Sequence, residues 1–302
     1  MKNSAKQAAS AGTEIETLIE RAARIYDLRG AMGRGDIVAA SPAPPETSSV
    51  VPPALPRTGR YRASVDRTGL AEQGFILPDA PPTPLAEEFR IVKRQLLTSA
   101  LGGQGASGVP LGRAILVCSA QPDEGKTFCA VNLALSMAKE KDIEVLLVDA
   151  DFAKPEILST LGIDGGAGLM DALADPAIDV ENCIIQTDLG NLSVLPAGRE
   201  INENTELLAS ESTRNLFENL LLNPSRVVIF DSSPALAASP ASVLAALVGQ
   251  VMMVVRADQT GEAELRDALD LLSACSHIRL LLNAVQLAPH GRRFGAYYGY
   301  GT

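Results

Sequence analysis

The sequence has no tryptophan, two histidines and four cysteines among its 302 residues. The cysteines are scattered at positions 118, 129, 183 and 275, and no two of them have the Cys-x-x-Cys spacing. A zinc site or a disulfide framework would require closer, paired ligands. The cysteine pattern therefore argues against both and indicates free thiols in a reducing cytosol.

Positive charge is also in deficit, with 26 basic against 36 acidic residues and a net charge of −10. This balance argues against a nucleic-acid-binding surface, which needs clustered positive charge, but it permits one small phosphate pocket. Residues 1–13 lack the apolar stretch of a secretory signal. The longest uncharged run, residues 232–255, is interrupted by Pro234, Pro240 and Gly249, so no membrane span is predicted.

Composition divides the chain into four predicted parts: an N-terminal helical segment 1–41, a Pro-rich linker 42–84, a main domain 85–290 and a flexible C-terminal tail 291–302. Apolar residues recur with helical spacing between Glu14 and Leu28. This helix docks loosely onto the rest of the chain or binds a partner or membrane surface, and the pattern leaves both open. Ten of the 19 prolines lie in the linker, within which Tyr61 to Leu77 has the pattern of some local order.

From Leu85 onward, short apolar runs alternate with helical patterns. The predicted strands cover residues 114–119, 144–148, 192–195, 227–230, 251–255 and 278–282, and the helices between them include 126–139, 203–221, 241–248 and 262–273. Near-continuous apolar strands alternating with helices are typical of a mostly parallel sheet covered on both faces. The predicted fold class is therefore α/β, and the loop described next makes it of the P-loop NTPase type.

A phosphate-binding loop is predicted between the first of these strands and the helix that follows it. The segment Ser119 to Thr127 ends in Gly-Lys-Thr, with alanine at position 120 where the strict pattern has glycine. Gly125 permits close backbone approach, Lys126 brings charge to the β- and γ-phosphates, and the Thr127 hydroxyl is a Mg²⁺ ligand type.

Three aspartates follow two other buried strands. Asp149 and Asp151 end one strand and Asp231 ends another. Carboxylates at the C-terminal ends of parallel strands face the crevice where ligands bind, and their hard oxygens suit Mg²⁺. The alternative is that each aspartate only caps the turn that leaves its strand.

Together these motifs resemble the bacterial tyrosine kinases of exopolysaccharide systems, most closely the autokinases of exosortase-associated loci. The resemblance covers roughly residues 85–302, and it includes Leu192 to Gly198 and Glu206 to Ser210. It implies that MgATP binds at Pro122, Asp123, Glu124, Gly125, Lys126 and Thr127, with the metal held by Thr127 and Asp231. It also implies a ring-like self-association through a helix that carries Glu87, Arg90 and Lys93, where lysine replaces the family's arginine.

The last six residues contain three tyrosines, Tyr297, Tyr298 and Tyr300, interleaved with glycine. The residue pattern fits a flexible phosphoacceptor tail, or an aromatic tail that docks on a surface. The resemblance favours the first and implies autophosphorylation, with transfer to a neighbouring subunit. In that scheme Lys126 neutralises the γ-phosphate, Asp149 activates the tyrosine hydroxyl and Asp151 positions metal or substrate, with these two roles exchangeable.

The resemblance implies further partners and a location. A membrane-anchored polysaccharide co-polymerase would activate the kinase and recruit it from the cytoplasm to the inner face of the membrane, and a tyrosine phosphatase would oppose it. Asp123 departs from the family's glycine, which keeps open a catalytically weak nucleotide-binding scaffold. A positioning or partitioning ATPase is the other alternative, although that class carries lysine where this chain has Gln121. Asn283, at the end of the last strand, is either a base contact or a turn residue.

Overall fold

The architecture is built on one sheet. The computed structural model describes residues 61–102, 108–199 and 204–285, and within them eight strands form the sheet. They are β1 (Tyr61–Ala63), β2 (Ala114–Ser119), β3 (Glu144–Ala150), β4 (Ile185–Thr187), β5 (Leu192–Leu195), β6 (Arg226–Ser232), β7 (Gln250–Arg256) and β8 (Ile278–Asn283). Their order across the sheet is β1-β4-β5-β3-β6-β2-β7-β8, and every pair is parallel except β4 with β5.

Nine α-helices occur within the described residues and cover both faces of this sheet. They are α1 (Arg67–Glu72), α2 (Pro84–Leu101), α3 (Lys126–Met137), α4 (Ile157–Leu161), α5 (Leu169–Ala174), α6 (Asn204–Leu208), α7 (Glu211–Leu220), α8 (Pro240–Ala245) and α9 (Glu262–Leu271). One hydrophobic cluster joins α1 to α4 to one face, and a second joins α5 to α9 to the other. The predicted α/β class is confirmed.

The central strands are buried because their side chains on both faces meet helices. All six residues of β2 and all seven of β6 are buried. This is why their sequence is apolar at nearly every position rather than at alternate positions. The register between β3 and β6 places Asp149 directly beside Asp231 at the C-terminal ends of the two strands.

The predicted linker extends too far toward the C-terminus. Residues 61–63 form β1, which pairs with β4, and Leu70 of α1 is fully buried. The folded unit therefore includes residues 61–84, which were assigned to the linker. The prolines that suggested a linker all lie outside residues 61–77, so a short strand and a helix can form there.

A helix was also predicted over Glu203 to Leu221, and the structure divides this stretch into α6 and α7. Ser210 begins the second helix, since its hydroxyl accepts a hydrogen bond from the Thr213 N–H at 3.3 Å. The described residues do not include residues 1–60, in which the N-terminal helix 14–28 was predicted. They also do not include the tail 291–302 with its three tyrosines. Among the helices of the described ranges, none combines the length and apolar character needed to cross a membrane.

Candidate nucleotide and phosphoryl-transfer site

The predicted phosphate loop lies between β2 and α3, as expected. Gly125 precedes the first residue of α3 and has a φ of 91°, in the left-handed region that favours glycine. A Cβ atom at Gly125 would lie 2.2 Å from Asn283 Nδ2. Glycine is therefore required there both by the backbone and by a close neighbour, and the first N–H groups of α3 are left to face a polyphosphate.

Asp123 also has a left-handed backbone, with a φ of 60°. The sequence prediction that this position favours glycine is therefore consistent with the backbone found. Aspartate tolerates this region better than most residues. The Asp123 carbonyl accepts a 2.6 Å hydrogen bond from Arg256, which holds the loop against the end of β7.

The side chain of Glu124, in the predicted phosphate loop, contacts other parts of the protein. It is 4% exposed and turned into the protein, where its carboxylate accepts hydrogen bonds from the Gln121 N–H at 2.9 Å and from the Thr260 hydroxyl. The Gln121 side chain in turn donates to Glu264 of α9 at 3.2 Å. Glu124 therefore anchors the loop, and only its backbone is available to a phosphate.

Lys126 forms an ion pair with Asp151, with 2.6 Å between Nζ and Oδ2. Both side chains are largely buried, at 12% and 5% exposure. Burial opposes the charge of Lys126, but Asp231 and Asp151 more than compensate and raise its pKa above the usual value. The lysine is therefore charged and is paired with a buried carboxylate.

Asp149 and Asp231 are each about 1% exposed. Burial raises the pKa of Asp149 to about 7, although the Ile157 N–H donates a 3.0 Å hydrogen bond to its Oδ2. Burial likewise raises the pKa of Asp231 to about 7, and the nearby Lys126 charge and Thr127 hydroxyl offset this only in part. Two buried carboxylates side by side oppose each other's ionisation.

These carboxylates fit a magnesium ion shared with phosphates. Within the described chain, Asp149 Oδ1 and both oxygens of Asp231 have no hydrogen bond of ordinary geometry. Such buried oxygens require a donor or a cation. No cluster of three or more His, Cys, Asp or Glu side chains arranged for a metal occurs in residues 61–102, 108–199 or 204–285. The few protein ligands suit Mg²⁺, which keeps several waters and binds substrate oxygens.

An open cavity of about 510 Å³ lies over the loop. Asp123, Gly125, Lys126, Thr127 and Asp151 line it, whereas Asp149 and Asp231 are not among its lining residues. The predicted site residues are thus brought to one place, with Asp151 facing the cavity and the other two carboxylates behind it.

Sequence reasoning missed the aromatic part of this cavity. Phe75 and Phe128 line it and contact each other, with 4.9 Å between ring centroids and 39° between ring planes. Phe128 directly follows the Gly-Lys-Thr segment, so its position was open to prediction. Phe75 lies in the stretch assigned to the linker, and no local pattern in the sequence indicates that it reaches the loop.

Asn283 lies on the opposite side of the loop from Asp149 and Asp151, since β7 and β8 lie on one side of β2 and β3 lies on the other. Its side-chain amide donates a 2.9 Å hydrogen bond to the Glu124 carbonyl. This contact shows that Asn283 supports the loop. A contact with a nucleotide base would be an additional role.

The three residues predicted at an oligomer interface differ in exposure. Glu87 and Arg90 form a 2.6 Å ion pair on α2, and the Arg90 side chain is 59% exposed. Lys93 is buried instead, donating to the Ser136 carbonyl at 2.8 Å and pairing with Glu140 at 2.7 Å. Lys93 is therefore not available at the surface as predicted, because its long side chain reaches the carbonyl end of α3.

The AAA domain family AAA_31 matches residues 112–275 of this chain. Tyrosine-protein kinase YwqD of Bacillus subtilis is 26% identical over 237 residues, covering 78% of this chain and 94% of the relative. Tyrosine-protein kinase Wzc of Salmonella typhimurium is 29% identical over 188 residues, covering 61% of this chain and 24% of the much longer relative. The chain belongs to AAA_31 and, within it, to the bacterial tyrosine kinases.

The solved kinase domain of VpsO resembles this bacterial tyrosine kinase in structure. The TM-score is 0.54 at 27% identity, and the match covers 66% of this chain and 99% of the other. The fold and loop of this kinase are those of a nucleotide-binding P-loop domain.

Proposed function

We propose that this chain is an MgATP-dependent protein tyrosine kinase that phosphorylates tyrosines near its own C-terminus, within exopolysaccharide synthesis or export. The observation that carries this proposal is the combination of Lys126, paired with Asp151 in the cavity, and the two buried aspartates on adjacent strands behind it. In a member of the bacterial tyrosine kinases, this arrangement suits phosphoryl transfer better than binding alone.

The Lys126–Asp151 ion pair suggests how binding prepares the reaction. When ATP occupies the loop, its β- and γ-phosphates compete with Asp151 for the lysine ammonium. The carboxylate released from the pair then faces the cavity through which an acceptor enters. Of the two roles that the sequence left exchangeable, this placement favours Asp151 as the group that receives the tyrosine proton.

Phosphoryl transfer then balances as follows. The phenolic oxygen of the acceptor forms a bond to the γ-phosphorus, the bond to the β–γ bridging oxygen breaks, the proton passes to the carboxylate and ADP leaves. Thr127, Asp149 and Asp231 would hold Mg²⁺, whose charge neutralises the phosphate oxygens as the bond breaks. The chain's own residues supply position and charge.

The acceptors that we propose are Tyr297, Tyr298 and Tyr300, with transfer between copies of the chain. Phosphorylation would add about −1.5 to −2 charges per tyrosine to a chain that already carries −10. The repulsion would loosen an assembly of copies. We further propose recruitment to the membrane through a co-polymerase partner and reversal by a tyrosine phosphatase.

The test is phosphotyrosine mapping and intact-mass measurement after incubation with MgATP. Phosphate is expected on the C-terminal tyrosines of the unsubstituted chain and not on a Lys126→Ala chain. Lys139→Ala, which removes an exposed lysine just beyond α3, is the matched control and should retain transfer. Phosphate on the Lys126→Ala chain, or only on Tyr26 or Tyr61, would refute the proposal.

Mixing two variants distinguishes transfer within a copy from transfer between copies. One chain carries Lys126→Ala and an intact tail, and the other has an intact site and phenylalanine at the three tail positions. Transfer between copies predicts phosphate on the Lys126→Ala chain only when both are present. ATP binding without any transfer, also in the presence of the partner's cytoplasmic segment, would favour the nucleotide-binding scaffold.

A further inference from the structure

The aromatic pair in the cavity lies on the side from which an acceptor must approach. Beyond the loop itself, the cavity is lined by residues that follow β6 and β3 and by α4, including Pro234, Asp151 and Thr160, all on one side of β2. Asn283, the candidate base contact, lies on the other side of β2. A nucleotide bound along the loop therefore leaves the Phe75 side to the group that attacks the γ-phosphate.

Phe75 is held in this position by a defined set of contacts. Asn132, buried in α3, accepts a 2.8 Å hydrogen bond from the Ile76 N–H and donates a 2.9 Å bond to the Phe128 carbonyl. One side chain thus fixes the backbone beside Phe75 and the backbone of Phe128 relative to each other. The two rings are half-buried, so each presents part of its surface to the cavity.

The segment that carries Phe75 is tied to the sheet at a second point. Asp188 accepts hydrogen bonds from Ser64 Oγ and the Val65 N–H at 2.9 Å each, and from Arg67 Nη1 at 2.7 Å. Arg67 also donates to the Asp188 carbonyl at 3.1 Å. We call residues 61–77 the strap. These contacts attach its first part to the turn after β4, and Phe75 near its end lines the cavity.

We propose that Phe75, with Phe128, binds the aromatic ring of the acceptor tyrosine and so selects tyrosine as the substrate side chain. This rests on the proposed kinase function. An acceptor ring beside these phenylalanines gains the offset or edge-on contacts that aromatic pairs prefer, while Asp151 in the same cavity lies near its hydroxyl. A serine or threonine side chain has no ring to make this contact.

The C-terminal tyrosines are the acceptors that we expect in this cavity, because the last described strand ends beside the loop. Asn283 bonds the loop itself, and Tyr297 is 14 residues further along the sequence. A chain of that length spans at most about 50 Å. Reach thus permits each tail tyrosine to enter a cavity of its own copy or of an adjoining copy.

The test uses the full chain with alanine at its three tail tyrosines, so that its own tail offers no ring to the cavity and transfer goes only to an added peptide with the sequence of residues 290–302. Phe75→Leu keeps an apolar side chain and removes the ring. It is expected to raise the peptide KM about two- to tenfold, the range that an aromatic pair supplies. The Kd for ATP should change less than twofold. Phe75→Tyr should keep the KM near its original value.

A pair of inhibitor peptides isolates the ring itself. With all three tyrosines replaced by phenylalanine, the peptide keeps its rings and should compete with the substrate peptide; with alanine, it should compete several-fold more weakly. This difference should shrink in the Phe75→Leu chain, as expected for two groups in contact. Leu222→Ala truncates a 76% exposed side chain just before β6, at the N-terminal end of that strand. It is the matched control and should change neither the peptide KM nor the Kd for ATP.

An unchanged peptide KM in Phe75→Leu, or an equal loss of ATP affinity, would overturn the inference and leave the kinase function standing. Complete absence of transfer by the chain with Phe75 intact would overturn both. Thermal unfolding of each variant shows whether a change in KM accompanies a loss of folded protein, and the inhibitor comparison remains valid if the variant is destabilised but folded.

Discussion

Replacing Asp231 by asparagine should make the free energy of unfolding depend less on pH between pH 5 and pH 8, and it should remove metal-dependent activity. Asp231 is about 1% exposed and its two oxygens lack hydrogen bonds of ordinary geometry among the described residues. Its pKa is about 7 in the folded chain. An unfolded aspartate has a pKa of about 3.9.

Proton binding by Asp231 makes the folded chain less stable as pH rises. Between pH 4 and pH 7 the folded chain holds a proton that the unfolded chain releases, so the free energy of unfolding falls as pH rises and then levels off above pH 7. The full difference corresponds to at most about 4 kcal/mol, at about 1.4 kcal/mol for each pKa unit. Asp149 lies beside Asp231 and the two carboxyl groups titrate as a coupled pair, so only part of this difference belongs to Asp231. We expect roughly 1–3 kcal/mol from Asp231 alone.

Urea unfolding at pH 5 and pH 8, in the presence of EDTA, measures this pH dependence of the free energy of unfolding. The unsubstituted chain should lose roughly 1–3 kcal/mol more between the two pH values than Asp231→Asn. The asparagine in the variant leaves a buried amide unpaired, which costs about 1–3 kcal/mol of stability at both pH values. The difference in unfolding free energy between pH 5 and pH 8 therefore isolates the effect of the Asp231 charge. Asp267→Asn, which changes an exposed aspartate on α9, should behave like the unsubstituted chain.

Adding Mg²⁺ and ATP at pH 8 provides a second reading of the same residue. A ligand that binds only the folded chain stabilises it by mass action. The unsubstituted chain should therefore gain more stability than Asp231→Asn. Parallel pH profiles for the two chains, together with equal stabilisation by MgATP, would show that Asp231 is neither a buried charge nor a metal ligand.

Four further changes have defined outcomes. Asp123→Gly removes an aspartate with a left-handed backbone and should tighten ATP binding about two- to fivefold by calorimetry. An unchanged affinity would show that Asp123 does not strain the loop. Gly125→Ala should weaken ATP binding at least about tenfold in the same assay, because its Cβ would meet Asn283 at 2.2 Å. Lys93→Ala should cost about 1–3 kcal/mol in urea unfolding, since it leaves a buried carbonyl of α3 without its donor; a loss under about 0.5 kcal/mol would contradict this. Asp188→Asn should speed tryptic cleavage within residues 61–77. Burial acts to raise the pKa of Asp188, but the hydrogen bonds it accepts lower it to about 2. Cleavage of the strap by pepsin, which works in acid, should therefore be slow at pH 4 and faster as pH falls toward 2.

The buried aspartates suggest why this site is costly to maintain. Removing them would relieve charge burial, yet the proposed reaction needs their oxygens beside the loop. Strain of this kind is common at functional sites, where the surrounding structure maintains an arrangement that is unfavourable by itself. Here β3 and β6 are central strands, and their seven-residue register holds Asp149 and Asp231 in place.

The amino-acid sequence by itself determined the central part of this molecule. Long apolar strands, a Gly-Lys-Thr segment opening a helix and aspartates directly after two strands are local patterns. In a parallel sheet the C-terminal ends of all strands meet at one edge. Strand direction alone therefore brings Lys126, Asp149, Asp151 and Asp231 together, and the prediction of a common site required no knowledge of long-range contacts.

Only the tertiary structure decided the rest. The three-residue strands β1 and β4 are too short to show a periodic pattern, so the strap was assigned to the linker. Phe75 reaches Phe128 across 53 positions of sequence through the hydrogen bonds of Asn132. Likewise, the burial of Lys93 and Glu124 depends on which groups lie opposite them. Such contacts join segments distant in sequence, and the local periodicity of either segment carries no information about its partner.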